Sequence, residues 1–222
     1  MFRRIMKTIL KSLVGSRAHG LHREDSDYDF RGVFVVPTSE LLSLGYKEKA
    51  VSWLEGEKED QTAYEVHHFL NLAVHSNPSI LEVMASPVQE ETEEGIRLRA
   101  LFPYIWNSRD VYNAFCGYSH NQQKKFMDGK DERPWKYAVA YIRVLLLAEE
   151  LLSQGTLTVK VAEENAQKLR DIKAEKFSRG FVIDWAEQLK GYVKRAYEAN
   201  PNKQTDFEKV NEYLLWVRKE NW

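Results

Sequence analysis

The chain has 222 residues, of which 43% are hydrophobic and 29% are charged, and its formal net charge at pH 7 is −1. This composition is typical of a globular protein with one large core or two small domains, and it excludes a low-complexity or strongly basic chain. No apolar run approaches the length of a membrane span. Because Cys116 is the single cysteine and the N-terminus lacks the apolar core of a signal peptide, we expect a cytoplasmic protein with no membrane partner.

The first half of the chain alternates between strand and helix signals. Four strands are predicted, at residues 10–14, 27–36, 49–54 and 61–66. Pro37 ends the second strand because proline cannot extend a ladder of hydrogen bonds, and a polar hairpin over 55–60 joins the third strand to the fourth. Helical periodicity follows at 67–77, with a short apolar element at 79–85.

The second half of the chain changes to a helical pattern. Six helices are predicted, at residues 90–102, 111–127, 135–154, 163–175, 182–199 and 207–219. The pattern contains no long flexible linker and no internal repeat. The sequence therefore predicts an α+β protein, with a small mixed-sheet domain at residues 1–90 and an all-helical domain at residues 91–222.

The most informative segment is 15–29, with the sequence GSRAHGLHREDSDYD. The Gly15–Ser16 pair follows an apolar run, and a small turn of this kind lets backbone N–H groups approach a phosphate. After ten intervening residues come Asp27 and Asp29, whose i, i+2 spacing on a strand places both carboxylates on one face. Because adjacent carboxylates repel each other, the pair suits Mg²⁺, which completes its shell with water and substrate phosphates. The segment predicts phosphoryl or nucleotidyl transfer.

This spacing resembles the signature of DNA polymerase β-type nucleotidyltransferases. A polar hairpin is the alternative for Asp-Ser-Asp, but the apolar runs on both sides favour the nucleotidyltransferase interpretation. The segments GSRAHG, SDYDFRGVF, YEVHHFLNLA and NPSILEVM together resemble the bacterial and phage predicted nucleotidyltransferases associated with RNA repair. The resemblance covers about residues 10–175, and in its helical part Ala140 and Tyr141 stand where a histidine is expected.

The resemblance implies a small mixed sheet and a helical domain that closes over a nucleotide. The implied reaction transfers a nucleoside monophosphate from an NTP to an acceptor hydroxyl and releases pyrophosphate. Asp27 and Asp29 would bind Mg²⁺, or Mn²⁺ in its place, in a two-metal site. Gly15 and Ser16 would contact the β- and γ-phosphates. Arg17, next to this turn, is a candidate phosphate ligand, with a salt bridge at the strand end as the alternative.

A two-metal site usually needs a third carboxylate on a neighbouring strand. Glu65 is the preferred candidate, because it lies where the chain leaves a predicted strand, although a solvated residue in a first helical turn would look the same. Asp60 lies in a polar hairpin and is expected to be exposed. Glu82 is flanked by apolar residues and is expected to be buried and paired. All three remain candidates at this point.

Two successive predicted helices carry aromatic and basic residues that suit contact with an acceptor or a nucleotide. The candidates are Tyr118, Gln122, Lys136 and Arg143. Core tyrosine and solvated lysine are equally good interpretations for most of them, whereas Arg143 lies within an apolar helix and is the best functional candidate. His19 and His22 lie between the two parts of the motif and are expected in an exposed loop.

The sequence thus predicts a Mg²⁺-dependent nucleotidyltransferase that acts on an RNA 3′ end or a tRNA-like acceptor. A protein side chain or a small molecule is an alternative acceptor. A catalytically idle module that binds nucleic acid or a partner is a third alternative, but Ser16, Asp27 and Asp29 are all present, which argues against it. The identity of the NTP and the oligomeric state stay open.

Overall fold

The computed structural model describes residues 6–45, 50–54, 59–128 and 133–222, and for 50–54, 59 and 60 it describes the backbone. Its centre is a five-stranded sheet in the order β3-β4-β2-β1-β5. The strands are β1 (Lys7–Val14), β2 (Tyr28–Val35), β3 (Ala50–Leu54), β4 (Glu59–Glu65) and β5 (Val88–Glu91). All four predicted strands are present, whereas residue 49 and the turn of the predicted hairpin, 55–58, lie outside the described residues.

The sheet is mixed, and its register decides which parts of the sequence meet. β1 pairs antiparallel with β2, and Val14 lies opposite Asp29. β4 pairs parallel with β2, so Asp60 lies opposite Asp29 and Glu65 lies opposite Phe34. β3 and β5 add antiparallel edges to β4 and β1. A small mixed sheet accompanied by many helices confirms the predicted α+β class.

Ten α-helices lie in the described part of the chain. They are α1 (Gly15–Ala18), α2 (Thr38–Leu41), α3 (Val66–Val74), α4 (Pro78–Ala85), α5 (Glu93–Ala100), α6 (Ser108–Asp128), α7 (Pro134–Gln154), α8 (Glu163–Lys173), α9 (Arg179–Ala199) and α10 (Phe207–Glu220). All six helices predicted after residue 89 are present. None of the described helices is long and apolar enough to cross a membrane.

The start of the helical half was predicted wrongly. The predicted helix 90–102 begins three residues later, because the Thr92 side chain caps α5 by accepting a hydrogen bond from the Gly95 N–H. The preceding Val88–Glu91 is β5, which pairs with β1 at the edge of the sheet. Its residues are mostly exposed, so the sequence lacks the alternation of apolar residues that predicts a strand.

One large hydrophobic cluster of the described residues extends from the sheet to the C-terminal helices. It includes Val33 on β2, Tyr141 on α7 and Val217 on α10. On the opposite face of the sheet, a small cluster contains Phe34, Val36 and Ala63. The predicted domain boundary between residues 90 and 91 falls within β5, and the division into two domains stays a prediction.

The last helix, α10, returns to the sheet. The Tyr213 hydroxyl donates a hydrogen bond of 2.9 Å to the carbonyl of Glu94 on α5. Thr38, just after β2, donates from its backbone N–H to the Asn221 carbonyl at 2.7 Å and from its hydroxyl to the Arg218 carbonyl at 2.7 Å. The last helix, α10, and Asn221 therefore pack beside the sheet, next to the segment that follows β2.

Candidate active site

Gly15 joins β1 to α1 in a backbone conformation that favours glycine. Its φ is +69°, in the left-handed region that residues with a side chain rarely adopt. A Cβ placed on Gly15 would lie 2.1 Å from Oδ2 of Asp29, because the preceding Val14 pairs with Asp29 across the two strands. The carboxylate of Asp29 thus packs against the backbone of the Gly15–Ser16 turn, and the two parts of the sequence motif meet.

Two carboxylates lie at the start of β2. Asp27 is exposed and comes just before the strand, whereas Asp29 is half-buried within it. Among the described residues, no group of three or more His, Cys, Asp or Glu side chains converges as a ready metal cage. Mg²⁺ commonly takes one or two protein carboxylates and fills its remaining positions with water and substrate phosphates. Asp27 and Asp29 fit Mg²⁺, or the similar oxygen-binding Mn²⁺, in this way.

Ser16 lies beside these carboxylates in the first turn of α1. Its carbonyl accepts a hydrogen bond of 2.9 Å from the Leu21 N–H, which closes the turn. Its side chain is half-buried, and its hydroxyl has no hydrogen-bond partner within the described residues. The hydroxyl is therefore able to donate to a ligand.

Arg17 holds the loop that precedes Asp27. Its guanidinium donates to the Ser26 carbonyl from Nε at 3.1 Å and from Nη2 at 2.7 Å, and it lies 3.8 Å above the Tyr28 ring. These contacts use much of its hydrogen-bonding capacity within the protein. In this structure Arg17 positions the Asp27 loop, and its role as a phosphate ligand stays a prediction.

A buried network of three polar side chains begins directly after the Gly15–Ser16 turn and α1. His19, directly after α1, places Nε2 3.3 Å from Oε2 of Glu82 on α4, and Arg143 on α7 donates to Oε1 of the same carboxylate at 2.5 Å. Each of the three residues is less than 10% exposed. This buried network links the segment after the Gly15–Ser16 turn to the helical half through Glu82 on α4.

The charges in this buried network shift the pKa values of Glu82 and His19. Burial alone would raise the pKa of Glu82, but the charge of Arg143 and the hydrogen bond with His19 hold it at about 2. Burial and the neighbouring charge of Arg143 lower the pKa of His19, against the opposing effect of Glu82 and Asp29. At neutral pH the buried network is therefore an ion pair of Arg143 with Glu82 beside a neutral His19.

The candidates on α6 and α7 occupy different environments. Burial raises the pKa of Tyr118, and the charges of Arg143 and Glu82 also act on its hydroxyl. Tyr118 therefore lies near the buried network of His19, Glu82 and Arg143. Gln122, one helical turn further along α6, is buried, while Lys136 is exposed in the first turn of α7. The structure thus brings Tyr118 and Arg143 together and leaves Lys136 on the surface.

Glu65 does not lie at this site, and its assignment as the third carboxylate is corrected. It is opposite Phe34 in the register, five residues along β4 from the position beside Asp29, or about 16 Å at the rise of a strand. Its carboxylate caps α3 by accepting from the His67 N–H at 2.8 Å and binds Nη2 of Arg218 at 2.6 Å. Glu65 is a buried structural residue between β4, α3 and α10.

The two other candidates separate clearly. Glu82 is buried and paired with Arg143, as its apolar neighbours in the sequence predict. Asp60 has its backbone directly beside that of Asp29 in the parallel β2–β4 ladder. The register therefore favours Asp60 over Glu65 as the neighbour of Asp27 and Asp29.

Sequence reasoning missed His19. It was expected in an exposed loop, but the structure buries it against Glu82, whereas His22 is exposed as predicted. One signal was present in the sequence. A buried carboxylate at Glu82 needs cationic or hydrogen-bonding partners, and a histidine close to the motif is a candidate for one of them.

Comparisons with known proteins bear on the whole chain. An uncharacterized 38.9 kDa protein from the nrdC–mobD intergenic region of Enterobacteria phage T4 is 26% identical over 133 residues, which are 54% of this chain and 39% of that protein. The uncharacterized protein YcgL of Bacillus subtilis (strain 168) is 23% identical over 230 residues, 94% of this chain and 88% of YcgL. The chain thus spans well under half of the phage protein.

A solved structure is a more distant match. A nucleotidyltransferase-like protein from Exiguobacterium sibiricum 255-15 aligns with a TM-score of 0.32 and 10% identity, over 96% of this chain and 74% of that protein. The assignment rests instead on the sequence itself. Residues 3–215 match the profile of the RNA repair pathway DNA polymerase beta family. With the Gly15–Ser16 turn packed on Asp29, as the sequence motif predicts, the chain belongs to this family.

Proposed function

We propose that this protein transfers a nucleoside monophosphate from an NTP to a hydroxyl of RNA, with Mg²⁺ bound by Asp27 and Asp29. The observation that carries the proposal is the contact of the Asp29 carboxylate with the backbone of the Gly15–Ser16 turn. This contact supports the proposal, because it brings the Gly15–Ser16 turn, which would bind phosphate, next to one of the carboxylates that would bind the metal. The family assignment, whose description names RNA repair, supports RNA as the acceptor.

In this reaction the acceptor hydroxyl attacks the α-phosphate, and the bond from that phosphate to the bridging oxygen breaks to release pyrophosphate. The Gly15 and Ser16 backbone N–H groups and the Ser16 hydroxyl bind the β- and γ-phosphates. Arg17 keeps the Asp27 loop in place through Ser26. A bound Mg²⁺ supplies neutralisation of the negative charge on the phosphates and the leaving group.

We also propose Asp60 as the third carboxylate. Its backbone pairs with Asp29, and an ionised carboxylate at this register position would accept the proton of the attacking hydroxyl as a general base. Glu65 provides a matched comparison on the same strand, because it is a carboxylate committed to Arg218. We expect Asp60→Asn to abolish transfer and Glu65→Gln to leave the activity of the folded protein unchanged.

The decisive experiment incubates the purified chain with Mg²⁺, total RNA and each α-³²P-labelled NTP in turn. We expect label to enter RNA with the intact chain, and the rate to fall at least about 1,000-fold in Asp27→Ala and Asp29→Ala, since a metal contributes several kcal/mol to such a transition state. Asp25→Ala is the control, because Asp25 is an exposed carboxylate in the same loop.

The acceptor and the cofactor are tested in the same assay. Label on protein would support the alternative of a protein acceptor, and NTP binding without transfer to any acceptor would support a binding module. Activity that survives both EDTA and the Asp27→Ala change would contradict the metal-dependent reaction. Replacement of Mg²⁺ by Mn²⁺ is expected to retain transfer, because both cations prefer oxygen ligands.

A further inference from the structure

His19 connects the Gly15–Ser16 turn to two other parts of the protein. Its backbone N–H donates to the Gly15 carbonyl at 3.1 Å, and its own carbonyl accepts from the Val161 N–H, just before α8, at 3.1 Å. Its side chain places Nε2 3.3 Å from Oε2 of Glu82 on α4. His19 therefore contacts the turn through its N–H, while its carbonyl and its side chain are held from outside the turn.

The side-chain hydrogen bond has a defined direction. Burial would raise the pKa of Glu82, but Arg143 and the hydrogen bond with His19 hold it at about 2, so at neutral pH the carboxylate is ionised and only accepts hydrogen bonds. Burial and the charge of Arg143 lower the pKa of His19, and the neutral imidazole therefore carries its proton on Nε2 and donates it to Glu82. This bond fixes one tautomer and one orientation of the ring.

The hydrogen bonds continue from the helical half to the carboxylate at the site. Arg143 on α7 donates to Oε1 of Glu82 at 2.5 Å, Glu82 accepts from His19, and the His19 N–H holds the Gly15 carbonyl. The backbone of Gly15 packs against Asp29, since a Cβ on this glycine would lie 2.1 Å from Oδ2. A displacement of the buried side chains is therefore transmitted to the turn and to Asp29.

We propose that His19 is a positioning residue that fixes the Gly15–Ser16 turn in the conformation that binds the β- and γ-phosphates of the NTP. Its hold on the turn depends on Glu82 and, through Glu82, on Arg143. The inference rests on the proposed function for the identity of the ligand. Backbone donors that are already in place bind an anion without the cost of ordering the turn. When the imidazole is released, that cost is added to binding.

Two substitutions of His19 separate its hydrogen bond from other effects. The side-chain amide nitrogen of glutamine reaches about as far from Cα as Nε2 of histidine, so His19→Gln keeps a donor for Glu82, whereas His19→Ala removes it. Glu65→Gln is the matched control. It breaks another buried carboxylate–arginine pair, that of Glu65 with Arg218 at 2.6 Å, near the end of β2 that is away from Asp29.

The first test measures hydrogen exchange of the backbone amides of residues 16–21 in the full chain without ligand. We expect His19→Ala to accelerate exchange in this segment about 10-fold relative to the rest of the chain, the effect of one hydrogen bond to a charged group. His19→Gln and Glu65→Gln are expected to exchange there like the unchanged chain. An acceleration in Glu65→Gln equal to that in His19→Ala would show general destabilisation and overturn the proposal.

The second test measures binding of inorganic triphosphate with Mg²⁺ by calorimetry, because all NTPs share this group. We expect His19→Ala to bind at least about 10-fold more weakly, as when an outer partner of an ion ligand is lost, and His19→Gln to bind like the unchanged chain. In the transfer assay, His19→Ala is expected to raise the KM for the NTP and to leave the KM for RNA unchanged. A loss of affinity in His19→Gln as large as in His19→Ala would overturn the role of the hydrogen bond to Glu82.

The two tests distinguish failure of this inference from failure of the proposed function. An unchanged chain that binds neither triphosphate nor any NTP would contradict the proposed function. The exchange rates of residues 16–21 are measured without ligand, so in that case they still decide whether His19 holds the turn in place. Exchange and triphosphate binding that His19→Ala leaves unchanged would refute the positioning role and leave the proposed reaction intact.

Discussion

At the scale of single residues, Gly15 is predicted to be irreplaceable for activity. In Gly15→Ala the new methyl group would meet Oδ2 of Asp29 at 2.1 Å, so the carboxylate has to move. The positive φ adds a backbone cost of about 1 kcal/mol. We expect nucleotidyl transfer to fall at least about 100-fold, the usual effect of misplacing a reacting group by 1 Å, while urea denaturation shows a folded chain with modestly reduced stability.

Gly155→Ala is the matched control for this change. Gly155 has a similar φ of +75° at the end of α7, and nothing lies within 4 Å of the position of its missing Cβ. The substitution therefore carries the same backbone cost without the contact to Asp29. Equal losses of activity in the two variants would show that backbone strain, and not displacement of Asp29, is responsible.

The residues that the sequence predicts well are those fixed by local spacing. Gly15 and Asp29 meet because one antiparallel pairing brings Val14 opposite Asp29, and their spacing signals this geometry directly. Glu65 was misassigned because its position depends on the parallel register of β4 with β2. That register is decided by packing between segments far apart in sequence, which no local pattern contains.

At the scale of the elements, the ion pair that joins α4 to α7 is predicted to make the protein sensitive to acid. The folded-state pKa of Glu82 is about 2, against an ordinary value of 4.5. The pair therefore stabilises the fold fully above pH 4.5 and loses this contribution, up to about 3 kcal/mol, as the pH falls from 4.5 towards 2. His19 acts in the same direction below pH 6.5, because its lowered pKa opposes protonation in the folded state.

Urea denaturation of the full chain at pH 7, 5 and 3 measures this dependence. The charged and titratable groups around the Glu82–Arg143 ion pair are His19, Asp29 and Tyr118. Glu82→Gln is expected to be less stable at pH 7 by about 3 kcal/mol, since it leaves Arg143 buried without its partner, and to lose less stability on acidification. A variant with the same pH dependence as the unchanged chain would contradict this role of Glu82.

The helices were more predictable than the edge of the sheet. α7 and α9 have long apolar stripes at helical spacing, and their ends are set by local signals such as Gly155 and the Ser178 cap. β5 has no such pattern, because an exposed edge strand of four residues is held by its ladder to β1. Its existence follows from pairing with a distant segment and not from its own residues.

At the scale of the whole molecule, we predict that the protein unfolds in one cooperative transition. The large hydrophobic cluster includes side chains from β2, α7 and α10, and the buried network of His19, Glu82 and Arg143 links the segment after the Gly15–Ser16 turn to the helical half. Loss of either half therefore exposes core residues of the other. Differential scanning calorimetry is expected to give a calorimetric enthalpy equal to the van't Hoff enthalpy.

Two resolved transitions, or a fragment 1–90 that folds by itself, would contradict this expectation and support two independent domains. The return of α10 is the reason that fragment is expected to fail. Removal of α10 would expose Glu65, which binds Arg218 in the full chain. It would also remove the Asn221 and Arg218 carbonyls that accept hydrogen bonds from Thr38. The sequence predicted the helix itself, but its place beside the sheet depends on these contacts across the length of the chain.

The contact of Thr38 with Asn221 has a practical consequence for handling the protein. Thr38 lies three residues beyond the end of β2, whereas Asp29 is near its first residue, so Asn221 and Asp29 lie at opposite ends of one strand, about 25 Å apart. Trp222 beside that contact is largely exposed. A surface linkage or fluorescent label attached at Trp222 would therefore lie at the end of β2 away from Asp29, and we expect it to leave the proposed reaction unchanged.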